Sequence, residues 1–399
     1  MRFRTVLFWL HLAAGVVAGS VILVMAVTGT LLTFQQSILQ AIERSQRVVV
    51  APPDAARLNL DTLLDRVRAV SPEAQPTAIT LSSDPSASAS VALGTQRTLF
   101  VNPYTGEILG TGSPRARAFY RSVTNLHRWL AVEGEHRATA RAITGASNAA
   151  FLMLAVTGLY LWWPRQWTWK HVSAVTLFRS GLRGKARDFN WHNVIGFWSA
   201  PVLIVLTATG MVISYPWASN LVYTLTGSPR PAATVRGSGS AAGSGETQRG
   251  RDGAGAEVRA VAPAAASLES MVADAERRLP SWGTMIIRLS VRPGGPVSFS
   301  MSDRDHWNSF ARSTLTLNGQ TGAETTWEPY TQTSRGQKLR GWMRFAHTGE
   351  LGGRPGEAIA GLASAGGAFL VWTGVSLALR RLAAWSGRRR AERPLKAAA

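Results

Sequence analysis

The sequence predicts an α-helical membrane protein: a four-span bundle built from two parallel repeats, with two small α+β domains on one side of the bilayer. Three observations predict it. Four long apolar runs carry no charge in their interiors, the two halves of the chain match stretch for stretch, and basic residues crowd alternate ends of the runs.

The runs are Phe8–Phe34, Ile143–Trp163, Val194–Tyr215 and Ala358–Leu379. Each reaches the length of about 20 apolar residues that a bilayer crossing needs. The chain is 46% hydrophobic and 17% charged over 399 residues, so its apolar residues are concentrated in these runs. Several of its 15 Trp lie at run ends, as in interfacial aromatic belts. The start, MRFRT and then apolar residues, resembles a signal peptide. Its apolar run is longer than a signal h-region and no A-x-A site closes it, so it reads as an uncleaved anchor.

The net charge of +20 suggests nucleic acid at first sight, but its placement argues for membrane topology. The N-terminus, the loop between runs two and three, and the C-terminal tail hold 15 basic residues against Asp188 and Glu392. By the positive-inside rule these segments are cytoplasmic, with both termini inside. No nucleic-acid partner is expected. The expected organisation is a first span over 1–34, an outward domain over 35–142, a second span over 143–163 and a basic cytoplasmic loop over 164–193. A third span over 194–215, an outward region over 216–357, a fourth span over 358–379 and a basic tail over 380–399 complete it.

The halves align without gaps around the first and third runs. His11 matches His192, Gly15 matches Gly196, Thr28-Gly29 matches Thr209-Gly210 and Phe34 matches Tyr215, all at an offset of 181. Further on, Asn102–Gly106 matches Asn318–Gly322 and Thr157-Gly158 matches Thr373-Gly374 at 216, and His127 matches His347 at 220. The rise in offset is about one insertion, the Gly/Ala/Ser-rich segment 228–262, whose composition predicts a flexible loop. Repeats in the same orientation are related by an axis along the membrane normal.

Each outward segment reads as an α+β module. Leu58–Val70 and Leu268–Leu279 have helical spacing. Thr77–Leu81, Ser90–Leu93 and Thr98–Val101 read as strands, as do Met285–Val291, Val297–Ser300 and Ser313–Leu317. Asn-Pro-Tyr-Thr-Gly at 102–106 is good turn chemistry. None of this specifies an activity.

The chain has no cysteine. That excludes disulfides, thiolate-bound iron–sulfur clusters and haem attached through C-x-x-C-H. No Gly-rich nucleotide or flavin fingerprint and no P-loop occurs. Any metal or haem must then be held by His, Met, carboxylate or Tyr. Of seven His, His171 lies in the basic loop, His306 beside Asp303 and Asp305 in an outward loop, and His136 has no counterpart. The other four form two repeat-related pairs. His11 and His192 sit at the cytoplasmic ends of their runs; His127 and His347 sit on the outer side before theirs. A pair facing across a bundle axis can supply two axial imidazoles to one haem. The bland alternative for each is an interfacial histidine. The four Thr-Gly pairs fall near these sites, where glycine would let a macrocycle approach the backbone. Ordinary small-residue helix packing is the alternative.

Six stretches, LHLAAGVVAGSVILVMAVTG, VNPYTGEILG, NLHRWL, TGLYLWWPRQW, WHNVIGFW and RFAHTGELGG, spread over nearly the whole chain. They resemble the PepSY-associated transmembrane proteins, also called iron-regulated membrane proteins, which include ferric-siderophore reductases. The resemblance implies two haem b groups on His11, His192, His127 and His347. It further implies periplasmic PepSY-like domains, an inner-membrane location, a ferric siderophore or other ferric chelate as substrate, and an electron donor that the sequence does not identify. The second turn departs from the pattern, with Gly319-Gln320 where the first has Pro103-Tyr104. A transporter would need polar or broken helices at mid-membrane, but these runs carry no charges there. A non-enzymatic PepSY sensor, regulator or accessory subunit of iron uptake is the other reading, and would not need the histidines.

Overall fold

The computed structural model describes residues 3–53, 56–73, 75–94, 97–164, 166–230, 266–306, 308 and 310–397. The loop expected over 228–262 lies, from residue 231 on, outside the described residues. In chain order the structure forms helices α1 (Phe3–Thr33), α2 (Gln35–Ile42), α3 (Arg44–Arg47) and α4 (Leu60–Val70). Strands β1 (Pro76–Ser82), β2 (Ala89–Leu93), β3 (Arg97–Val101) and β4 (Ile108–Gly110) follow. Then come α5 (Pro114–Trp129), α6 (Arg137–Trp162), α7 (Trp169–Thr176), α8 (Gly184–Ser214), α9 (Pro216–Leu225) and α10 (Leu268–Arg278). The last elements are β5 (Trp282–Arg288), β6 (Val297–Asp303), β7 (Arg312–Leu317), β8 (Glu324–Glu328), α11 (Arg335–Thr348) and α12 (Gly353–Ala397).

The chain divides into a helical unit (1–38, 119–228, 335–399) and a sheet unit (39–118, 229–334). Four helices of the first are long and apolar enough to cross a membrane: Phe3–Thr33, Gly134–Trp162, Gly184–Ser214 and Glu350–Arg388, with mean hydropathy 2.3, 1.5, 1.8 and 1.6. The helices outrun the apolar segments. α8 starts at Gly184, a full turn and more before the apolar residues, because Lys185, Arg187 and Asp188 are compatible with a helix outside lipid. Buried Asp188 meets Arg187 (2.9 Å) and Arg380 of α12 (3.3 Å).

Around the bundle α1 packs on α12 and α6, and α8 packs on the same two, so α1 and α8 stand on opposite corners. The buried stripe of α1, with Ala18, Ile22 and Ala26, recurs every fourth residue, as a helix facing its neighbours requires. Buried Asn148 of α6 donates to the Thr207 carbonyl of α8 at 2.8 Å, which satisfies a polar group that lipid could not.

The sheet unit is one eight-stranded antiparallel sheet in the order β4-β3-β2-β1-β5-β6-β7-β8. The two α+β modules expected from sequence are therefore not separate sheets. β1 pairs with β5, Thr80 opposite Ile286, and joins them edge to edge. One face is apolar throughout: Ile79, Val91, Leu99, Ile287, Phe299 and Leu315 are essentially inaccessible. In most strands they alternate with half-buried neighbours, as a sheet with one covered face demands, whereas β3 ends on three buried residues, Leu99, Phe100 and Val101. Leu63 and Val67 of α4 and Met271 and Ala275 of α10 cover this face in one continuous core. Pairing and capping cross the join, since Glu269 accepts the Leu60 N–H at the start of α4 (2.9 Å). The strands β4 and β8 were not expected; they are short edges after the two turns. In the first turn Asn102 Oδ1 accepts from the Tyr104 N–H (2.9 Å), and in the second Asn318 Oδ1 accepts from the Gln320 N–H (2.9 Å). Gly106 and Gly322 both take positive φ, 72° and 70°. The exchange of Pro-Tyr for Gly-Gln leaves the turn unchanged, because asparagine and glycine carry its geometry.

Candidate functional site

The sequence places His127 and His347 just before spans. The structure puts each near the end of a separate basic helix, α5 and α11. In α5, Tyr120 and Val123 are buried and His127 continues that face at helical spacing. The chain then turns through Leu130 and Ala131, both left-handed (φ 52° and 60°), into α6. The Thr144 hydroxyl donates to the Arg128 carbonyl (3.1 Å) and ties α5 to α6. Gly349, at φ 79°, ends α11 directly after His347 and Thr348.

All four histidines hold Nδ1 against an oxygen of a neighbouring helix, in three of them a threonine hydroxyl. Nδ1 of His11 lies 2.8 Å from Thr157 Oγ1, that of His127 2.9 Å from Thr28 Oγ1, and that of His192 2.9 Å from Thr373 Oγ1. Nδ1 of His347 lies 2.8 Å from the Leu206 carbonyl and 3.4 Å from Thr209 Oγ1. Each threonine has its hydroxyl proton committed elsewhere. Thr28, Thr157, Thr209 and Thr373 donate to the carbonyl four residues back, at 2.6, 2.7, 2.6 and 2.8 Å. A hydroxyl has one proton, so toward the imidazole the oxygen accepts. The Leu206 carbonyl can only accept. Nδ1 therefore carries the proton in all four rings, and Nε2 is left with its lone pair. This is the tautomer of a histidine that ligates through Nε2 while its other nitrogen is held.

The glycine after each threonine receives the ring itself. A Cβ at Gly29, Gly158, Gly210 or Gly374 would meet Cε1 of His127, His11, His347 or His192 at 3.5, 3.4, 3.1 and 3.4 Å. Each of these glycines thus lies beneath an imidazole. Sequence reading also missed the threonine hydroxyls and Asn148. The recurrence of Thr-Gly in all four spans was the available sign. Gly210→Ala should be the costliest of these substitutions, because its Cβ would also meet Asn148 Nδ2 at 3.2 Å. We expect a loss of about 1–3 kcal/mol from overpacking, read as a lower unfolding temperature in detergent, with Gly374→Ala clearly milder. Equal effects would contradict this packing.

His11 and His192 come from opposite corners of the bundle and face one another, ring centroids 6.5 Å apart and planes at 83°. Two metal–nitrogen bonds of about 2 Å, plus the ring radii, would set two coaxial imidazoles at roughly 6 Å between centroids. The centroid separation of the pair is thus close to that of two imidazoles on one metal. His127 and His347 are electrostatic neighbours: burial first, then His347, presses His127 down to about 4. Burial also lowers His347. Burial thus disfavours the charged form of both rings, and the neutral form is the one that offers a lone pair. From His11 to Thr28 along α1, and from His192 to Thr209 along α8, the chain advances 17 residues, a rise of about 26 Å. The two pairs therefore occupy opposite ends of the bundle.

The remaining histidines do not join them. His171 is exposed beside Thr168 Oγ1 (2.6 Å), and His136 is exposed 3.6 Å from Glu135. His306 stacks edge-on against Tyr330 and its Nδ1 accepts the Asn308 N–H (3.0 Å). Among the described residues no three His, Asp or Glu gather as a conventional metal cluster.

A multi-pass helical membrane protein with a separate antiparallel sheet region is the class these features define. The family model for the PepSY-associated TM region matches residues 8–381. The chain belongs to that family. No curated protein matches it at a significant level.

Proposed function

We propose that this protein is a haem-containing reductase of the inner membrane that carries electrons outward to a ferric siderophore or other ferric chelate. The observation that carries the reading is the tautomer. Four imidazoles, related in pairs between the two halves, each spend Nδ1 on a fixed acceptor and keep Nε2 available. In this reading the halves are two parallel repeats with their axis along the membrane normal. Both termini are cytoplasmic, as the basic segments favour, and the PepSY-like sheet region is periplasmic. His11 and His192 hold an inner haem b; His127 and His347 hold an outer one. Haem supplies one-electron chemistry when bound.

The chain's own residues do the rest. Threonine hydroxyls at His11, His127 and His192, and the Leu206 carbonyl at His347, orient the imidazoles and fix the proton on Nδ1, which leaves Nε2 free to ligate. The glycines let the rings lie against neighbouring helices. Each chelated Fe(III) takes up one electron and becomes Fe(II), which oxygen-rich chelators hold weakly. The donor on the cytoplasmic side is a separate reductant, since no nucleotide or flavin fingerprint occurs in the chain.

Two experiments test this. Anaerobic, dithionite-reduced protein mixed with a ferric chelate should yield Fe(II), trapped by ferrozine, as the haem bands return to their oxidised form. Reduced protein that ignores every ferric chelate would overturn the activity. The tautomer has its own check. Thr373→Val keeps the shape and deletes the acceptor of the His192 proton, so haem affinity at the inner end should drop about 10–100-fold. Titration of haem into the apoprotein reads it, and an unchanged affinity would contradict the role given to threonine.

A further inference from the structure

Arginines crowd the outer histidine pair. Arg128 follows His127 directly, and Arg344 stands one helical turn before His347. Arg141, one turn into α6, anchors its Nη2 on the Ser214 carbonyl (2.5 Å). Arg128 and Arg137 both lie over the Trp129 ring, 4.6 and 3.6 Å from its centre. Trp129 thus gathers Arg128 and Arg137, and Thr144 Oγ1 lies 3.1 and 3.2 Å from the carbonyls of Arg128 and Arg141, so these groups share one patch beside His127. None of Arg128, Arg141 and Arg344 forms an ion pair with a described carboxylate. Of the acids near these segments, Glu135 stands by His136 and Glu357 accepts from Ser37 Oγ, while Glu133 and Glu350 form no ion pair with a described cation.

Like charges gathered beside a half-buried site raise the energy of the patch until an anion neutralises them. Guanidinium forks match carboxylate oxygens in pairs. We propose that Arg128, Arg141 and Arg344 recruit the substrate, and that this substrate is a ferric chelate of net negative charge bearing carboxylate or similar anionic oxygens. The proposal rests on the reading of the outer histidine pair as the exit point for electrons. It selects among chelates by charge: a cationic chelate meets repulsion at the same face.

The test uses full-length, haem-loaded protein reduced with dithionite and mixed anaerobically with ferric citrate, an anionic chelate, or ferrioxamine B, a cationic one. Each turnover moves one electron from the reduced protein to Fe(III). In Arg141→Gln/Arg344→Gln, whose two side chains are exposed, the bimolecular rate with ferric citrate should fall about tenfold or more at low salt. The rate with ferrioxamine B should rise, and the salt dependence of both should flatten. Rates that stay put, or that move in the same direction for both chelates, overturn charge selection. Loss of the outer haem band in the variant would assign the arginines to the cofactor's own carboxylates and also overturn it. Wild-type protein that binds haem but reduces neither chelate would instead overturn the underlying reading.

Discussion

On the proposed reading, replacing His11 with alanine should abolish haem binding at the His11–His192 end and leave the other end loaded. The two pairs are separated by about 26 Å of helix, and no residue of one pair touches the other. His192 would keep its bond to Thr373, but a single imidazole facing an emptied space cannot complete the axial pair. The reduced-minus-oxidised difference spectrum should lose about half its amplitude, and His347→Ala should remove the complementary half. His306→Ala, whose ring belongs to an outer loop against Tyr330, should leave the spectrum whole. Either pair variant should also stop electrons from crossing, because each end would lack its relay. A His11→Ala protein with a full spectrum would remove the inner site.

The largest stability effect is expected in the sheet unit, at Glu43. Its side chain is fully buried, with Arg47 Nη2 at 2.7 Å and Arg117 Nη2 at 2.7 Å. The Ser113 N–H also donates to it, at 3.1 Å. Burial alone would raise this carboxyl; the hydrogen bonds from Arg47 and the Ser113 N–H, together with the Arg117 charge, outweigh it, and the net shift is downward. Glu43→Ala strands two cations beside an emptied pocket and should cost about 3–5 kcal/mol. Glu43→Gln, which keeps an acceptor, should cost less. The sign of the pH dependence follows from the lowered value. The stabilisation is present above the carboxyl range of the unfolded chain and is lost as pH falls through the depressed folded value. Chemical unfolding at neutral and acid pH reads both. A Glu43→Ala protein as stable as wild type at neutral pH would show the network to be dispensable.

Much of this was legible in the sequence, for identifiable reasons. Lipid admits few charges, so the four apolar runs stand out, but hydropathy reports immersion and not helix ends. That is why Gly184–Trp191 and Arg380–Ala397 were not read as helix. The histidine pairs were legible because two halves repeat them at fixed offsets. Their acceptors were not, since a threonine in a helix ordinarily bonds its own carbonyl four residues back, and only a neighbouring helix reveals the second use of its oxygen. α5 and α11 were missed because Arg-rich helices with a narrow apolar face look like loops to a span search. The joining of the sheets was hidden for a different reason. β1 and β5 have the same alternation as every other strand, and nothing local marks which edges meet across some 200 residues of chain.

The central claim is that paired imidazoles at each end of the bundle hold a haem between them. Spectroscopy of the purified full-length protein, with haem and polypeptide quantified together, tests it most directly. One low-spin b-type haem is expected for each histidine pair, ligated by both imidazoles. Protein purified from haem-replete cells with no haem bands, or with high-spin iron bound through a single histidine, would contradict it.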